Sequence, residues 1–204
     1  MELFDSHAHL NDEKFNQDRD SIIEQIKESG VTKLISAGYS LESSISAKEL
    51  ADKYDFIYTT VGISPNDIPQ TEEELWIMLD KMEEMAKQSK KIVAIGEIGL
   101  DYYWNQENKD LQRLAFKKQI ELANRLALPI VIHTREAVMD TIEILKQNKV
   151  ILKGVFHCCP LNRELVKEAL KLGFYISFAG PVTFKNSKNA EEIIRNGAKW
   201  KNAN

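Results

Sequence analysis

The chain is poor in the features that would set it apart from ordinary enzyme folds. Its whole cysteine complement is Cys158 and Cys159. Being adjacent, they are poorly placed to staple distant segments, so a disulfide framework is excluded and a reducing compartment suits the chain. No stretch approaches the roughly 18 consecutive apolar residues that span a bilayer. The start, Met1-Glu2-Leu3-Phe4-Asp5, has no basic region followed by an apolar core. A cytoplasmic protein with no membrane partner is therefore expected. Nine glycines and five prolines are too few for a collagen-like or low-complexity chain. Basic side chains number 27 against 31 acidic ones, a formal net charge of -4. That balance argues against a large nonspecific nucleic-acid groove, but not against a nuclease that grips phosphate through metal. Histidine is scarce too, with four in 204 residues, and their positions carry the argument.

What is present is a regular alternation. Apolar, β-branched runs predict strands at 3–8, 33–37, 57–61, 92–98, 129–133, 153–157 and 174–178. Between them lie helical patterns: Ile22, Ile23 and Ile26 closing at Gly30; Leu75, Leu79, Met82 and Ala86; Leu165, Ala169, Leu170 and Leu172 closing at Gly173. Residues 43–53, 109–126, 136–147 and 187–195 supply the other helices. Such alternation implies an α/β fold with a parallel sheet covered by helices. No linker, repeat or low-complexity segment interrupts it, so residues 1–204 are expected to form a single domain. A nucleotide-binding open sheet would want a Gly-rich turn after the first strand, where Asp5-Ser6-His7-Ala8-His9 stands instead. The alternative is a (β/α)8 barrel of the TIM type, whose catalytic groups sit at the C-terminal ends of the strands.

All four histidines fall at or just past such an end: His7 and His9 at the first strand, His133 at the fifth, His157 at the sixth. In His7-Ala8-His9 the i, i+2 spacing turns both imidazoles to one face of an extended segment. Glu97 is a carboxylate within the apolar run 92–98, and a buried charge needs a cation, a hydrogen-bond network or a proton. A metal shared with the histidines satisfies it best. Mixed imidazole and carboxylate ligation suits Zn²⁺ or Mn²⁺ more than Mg²⁺, leaving the identity among these ions open. Four imidazoles and a carboxylate exceed what one catalytic ion with an open position needs, but suit two divalent ions bridged by Glu97. Hydrolysis is the reaction such a site favours. Arg135, two residues beyond His133, is a candidate fork for a substrate phosphate.

Four spaced segments carry a family resemblance: Phe4-Asp5-Ser6-His7-Ala8-His9-Leu10, Gly96-Glu97-Ile98-Gly99-Leu100-Asp101-Tyr102-Tyr103, residues 129–136 around His133, and Gly154-Val155-Phe156-His157-Cys158. In order and spacing they resemble the TatD family of metal-dependent deoxyribonucleases, over residues 1 to about 196. The resemblance implies a TIM barrel and hydrolysis of DNA phosphodiesters, with removal from a 3′ end as one form of it. It implies that His7 and His9 hold one ion, His133 and His157 the other, and that Glu97 bridges them. Asp101 and Tyr102, with Tyr103, match the family's loop after strand four and are candidate substrate contacts, the tyrosines either stacking on a base or packing under the loop. Cys158 becomes a neighbour of the site, and Cys159 is expected to pack.

The sequence also departs from the family. Ser64 and Asn66 stand where the family usually carries histidines. After Asn196 the family pattern continues into an eighth strand with an acidic motif whose aspartate binds metal. Here residues 197–204 contain no β-branched residue and no carboxylate, so neither a strand nor that ligand is expected there. Strand starts recur about every 28 residues and a full barrel runs to about 250. The expectation is a truncated or frame-shifted member with about seven βα units. Two other functions stay open: amide or ester hydrolysis by the same metal site, and metal binding without useful catalysis. The lysines at 87, 90 and 91 are expected to be a solvated helix end.

Overall fold

The computed structural model describes residues 2–104, 106–187 and 189–201. Along the chain it runs β1 (Leu3–Ala8), α1 (Arg19–Glu28), β2 (Val31–Ala37), α2 (Leu41–Lys53), β3 (Ile57–Val61), α3 (Glu72–Gln88), β4 (Ile92–Asp101), α4 (Lys109–Leu126), β5 (Ile130–Arg135), α5 (Val138–Gln147), β6 (Gly154–Phe156), α6 (Arg163–Lys171), β7 (Tyr175–Ile176) and α7 (Ala190–Lys201). The seven strands form one sheet in sequence order, every neighbouring pair parallel. A strand-to-strand crossover through a helix keeps consecutive strands adjacent, which is how the alternation in the sequence becomes this order.

The sheet is curled. In a flat sheet, β1 and β6 would lie about 24 Å apart, five inter-strand spacings. Yet the rings of His7 on β1 and His157 after β6 stack with centroids 4.0 Å apart. Curling is what gathers strand ends that are distant in sheet order, and it makes the fold TIM-like, with β1 and β7 as the edges among the described residues.

Local chemistry fixes the element ends. Ser40, Thr71 and Asn162 accept N-cap hydrogen bonds from Ser43, Glu74 and Leu165. Gly30 and Gly173 follow α1 and α6 with φ of 94° and 87°, the left-handed region that glycine enters without strain. β4 and β5 outrun their predicted ends because pairing continues through Leu100 with Thr134 and Asp101 with Arg135. β6 and β7 are shorter than predicted. Residues 197–201 continue α7 as helix, in line with the expected absence of a strand there; residues 202–204, the rest of that expectation, lie outside the described residues.

One expectation is corrected. Lys91 is no solvated helix end: its ammonium donates to the carbonyls of Tyr54, Asp55 and Ile57 at 3.0, 2.8 and 3.1 Å, tying the β3 approach to β4. A larger apolar cluster packs β3 to β6 against α3 to α6, including Ile95, Ile98, Phe116, Ile132 and Phe156. A smaller one, with Ile23, Leu34 and Ile57, lies under α1 and α2. No helix among the described residues is long and apolar enough to cross a membrane.

Candidate metal centre

β1, β4, β5 and β6 each deliver a ligand-type side chain to the same end of the curled sheet. His7 lies in β1 and His9 just past it, Glu97 in β4, His133 in β5 and His157 directly after β6. Glu97 is buried between them and its two oxygens divide the histidines. Oε1 faces His133 Nδ1 and His157 Nε2, each at 2.8 Å. Oε2 faces His7 Nε2 at 3.4 Å and His9 Nε2 at 3.7 Å. Two groups result, each with its ligand atoms within 4.8 Å of one another: His7, His9 and Glu97; and Glu97, His133 and His157.

The ring nitrogens converge on one another as well as on Glu97. His9 Nδ1 lies 3.1 Å from the Ala37 carbonyl, an acceptor, so that nitrogen carries the proton and Nε2 presents a lone pair. This lone pair lies 3.2 Å from His7 Nε2. His133 Nδ1 and His157 Nε2 are 3.3 Å apart. His7 Nδ1 is buried with no hydrogen-bond partner among the described residues. Converging imidazole nitrogens around one carboxylate, with a buried ring nitrogen left over, fit a divalent cation in each group.

The same contacts set the charge state of the cluster. Burial alone would raise Glu97, but hydrogen bonds from His133, His157 and His7 outweigh it and hold the carboxyl far below its ordinary value. Burial pushes His133 down, but the Asp101 and Glu97 carboxylates on its two nitrogens overcome this and raise it to about 9. His157 and His9 are lowered, chiefly by burial.

Asp101 takes a different place from the one expected. It is buried, and Oδ2 accepts from His133 Nε2 at 2.9 Å and from Asn66 Nδ2 at 3.3 Å. Oδ1 accepts from the backbone N–H of Tyr103 and Trp104 at 2.9 and 3.3 Å. It orients a histidine rather than reaching into open space. Tyr102 is buried as well: its hydroxyl donates to Asp140 at 2.6 Å, packing under the loop. Arg135 does line the cleft that opens beside the cluster, a space of about 840 Å³ bordered also by His9, Glu97, His133, His157 and Cys158. Ser64 is buried and bonded to Asp67, and Asn66 reaches the cluster only through Asp101. Cys159 is buried, its thiol pushed up to about 12 by that burial.

Two supporting residues escaped the sequence reading. Gln112 and Gln119 stand one heptad apart on the buried face of α4. Gln112 accepts from the Asp101 N–H at 2.9 Å and donates to its carbonyl at 3.1 Å. Gln119 does the same for Ile63, at 2.7 and 3.0 Å. Each clamps a strand end beside the cluster, and two amides on an otherwise apolar helix stripe are the signal that could have found them. Gly99 completes the support. A Cβ there would meet the His133 carbonyl at 1.9 Å, so glycine permits β4 to lie this close beside His133.

Comparison with known proteins bears on this centre. The model of the family described as TatD related DNase matches residues 4–199. The metal-dependent hydrolase YabD of Bacillus subtilis is 42% identical over 196 residues, covering 95% of this chain and 74% of its own length. A 3′-5′ ssDNA/RNA exonuclease, TatD of Citrobacter koseri, is 32% identical over 179 residues, covering 87% and 67%. Among solved structures, that of YJJV, a TatD homolog from Escherichia coli, has the same fold, with a TM-score of 0.87 at 24% identity over 94% of this chain and 73% of that one.

Proposed function

The chain belongs to the family of TatD-related DNases, a group of metal-dependent hydrolases, and from that premise we propose that it hydrolyses phosphodiester bonds of DNA, with two divalent cations held at the Glu97 cluster. The observation that carries the reading is the division of Glu97, one oxygen toward His7 and His9 and the other toward His133 and His157. The 3′-5′ ssDNA/RNA exonuclease of Citrobacter koseri supports a single-stranded nucleic acid as the substrate class. When bound, divalent cations polarise a phosphoryl oxygen and make an attacking water acidic at neutral pH.

The chain's own residues do the rest. Glu97 stays a carboxylate, so its charge is available to both groups and it does not act as a proton donor. Asp101 holds the His133 ring in one orientation through Nε2, leaving Nδ1 aimed at the cluster. Arg135 reaches the cleft with no hydrogen bond or ion pair among the described residues, so its fork is free for a phosphate.

The test is cleavage of an end-labelled single-stranded oligonucleotide by the full chain with Mn²⁺, Zn²⁺ or Mg²⁺. Metal-stimulated cleavage that is lost with chelator and with Glu97→Gln is expected. A second reading, amide or ester hydrolysis, is favoured by one observation: Arg135 is the one Lys or Arg among the described residues lining the cleft. No DNA cleavage with any of these ions, together with hydrolysis of cyclic amides or carboxylic esters, would overturn the nuclease reading in its favour.

A further inference from the structure

We propose that Tyr103, Trp104 and Arg135 form a stacking platform beside the metal centre, which takes a nucleobase on the Trp104 ring and the adjoining phosphate on Arg135. The proposal rests on the phosphodiesterase reading for its substrate class, while its geometry stands apart from it. The Arg135 guanidinium lies 3.8 Å from the Tyr103 ring centroid and 5.5 Å from that of Trp104. The two aromatic rings meet edge to face at 4.8 Å. Stacking occupies the face of a guanidinium and leaves its in-plane N–H groups free, and Arg135 spends none of them on a protein partner among the described residues. Tyr103 is 47% exposed and Trp104 67% exposed. Such exposure of large rings is costly in a solvated loop and useful where a flat ligand covers them.

Position makes this more than a surface accident. Arg135 lies on the same face of β5 as His133 and borders the same cleft. Asp101 then ties the platform to the cluster: one carboxylate oxygen holds the His133 ring, and the other holds the backbone N–H groups of Tyr103 and Trp104. The loop that presents the aromatics cannot shift without disturbing a ligand-type histidine. Trp76 supplies a contrast, being 37% exposed on α3 with Lys118 laid across its ring and no link to the cleft. The charge balance gives the platform a purpose. With Arg135 as the one Lys or Arg lining the cleft among the described residues, basic side chains contribute little to holding a polyanion beyond the phosphate at the metal centre, and base stacking supplies grip that they do not.

The experiment compares binding of two ligands to the Mn²⁺-loaded full chain: a short phosphorothioate-linked oligothymidylate and an abasic strand with the same number of phosphorothioates. Tighter binding of the base-containing strand, by about tenfold, is expected. Trp104→Ala should remove that preference, Trp104→Phe should keep most of it, and Arg135→Ala should weaken both ligands alike. Equal binding of the two strands by the unmodified chain, or a preference that survives Trp104→Ala, would overturn the platform. Since Trp104 is largely exposed, its truncation leaves the fold in place, and the comparison of the two strands needs no variant at all. If the preference is present but the phosphodiester form is never cleaved, the platform stands and the hydrolytic reading falls.

Discussion

His133 and His157 reach Oε1 of Glu97 at 2.8 Å, and the far nitrogen of His133 is already held by Asp101. His7 and His9 stand 3.4 and 3.7 Å from Oε2, and the far nitrogen of His7 has no hydrogen-bond partner among the described residues. The backbones beneath the two groups differ in the same sense. β5, beneath His133, is a largely buried strand in the middle of the sheet, paired along its length with β4, whose end is clamped from α4 by Gln112. β1 is an edge strand, half exposed, whose register against β2 shifts twice within six residues. One ligand group is therefore shaped before any cation arrives. The other, with the Ala37 carbonyl on His9 as its fixed point, would be closed by a cation on binding. In a site that shares one carboxylate, unequal preorganisation translates into unequal affinity, because less ordering is left for binding to impose on the pre-shaped side.

The largest effect should come from the residue the two groups share. Glu97→Gln keeps the volume but removes the charge that both groups face. Metal content measured on the purified chain should fall from two ions to close to none, and nuclease activity should drop by about a thousandfold or more. A variant that kept one ion at full occupancy would break the idea that Glu97 serves both sides. The next effect is one-sided. Asp101→Asn removes a carboxylate from the far nitrogen of His133 and should weaken one binding step by about 10- to 100-fold. Titration calorimetry should show the tighter step moving and the weaker one staying. If the weaker step moves instead, the assignment of the pre-shaped side to His133 and His157 is wrong.

The difference between the two sides also marks how far the sequence could be read. Every strand was legible because β-branched runs alternate with 3.6-period stripes, and the four histidines and Glu97 were legible because their residue types conflict with the apolar runs around them. What periodicity does not carry is direction after a strand stops. Asp101 and Tyr102 sit where the extended pairing of β4 with β5 gives way to a turn, so their side chains point by turn geometry and not by alternation. Asp101 turned inward onto His133 and Tyr102 inward onto Asp140, leaving Tyr103 and Trp104 to face out. The Lys91 contacts were hidden for a related reason: its three carbonyl partners, on Tyr54, Asp55 and Ile57, are more than 30 residues away in sequence. Nothing in its own helix pattern reports them.

The smallest effect separates the two sides by proton rather than by mutation. In the metal-free chain His133 is raised from an ordinary 6.5 to about 9 by its two carboxylates, against the pull of burial. A folded value above the unfolded one means that its contribution to stability is complete below about pH 6.5 and is lost as pH climbs through 9. Glu97, depressed below its ordinary 4.5, contributes above that value and loses its contribution as pH falls. His157 and His9, lowered chiefly by burial, add a slope of the same sign as that of Glu97 below about 6.5, since there the unfolded chain binds their protons more readily. These terms leave the chelated chain with a melting temperature that peaks near pH 6.5 and falls toward pH 9. A bound cation replaces the proton on the ligand nitrogen and binds more tightly as that proton is lost, so the metal-loaded chain should not show the alkaline fall. Asp101→Asn should flatten the fall in the chelated chain, because it removes one of the two carboxylates that raise His133, whereas His9→Ala should leave it in place. Thermal melts from pH 6 to 9.5, with and without chelator, read this directly. A fall that vanished with His9→Ala and persisted with Asp101→Asn would assign the proton to the β1 side and reverse the comparison.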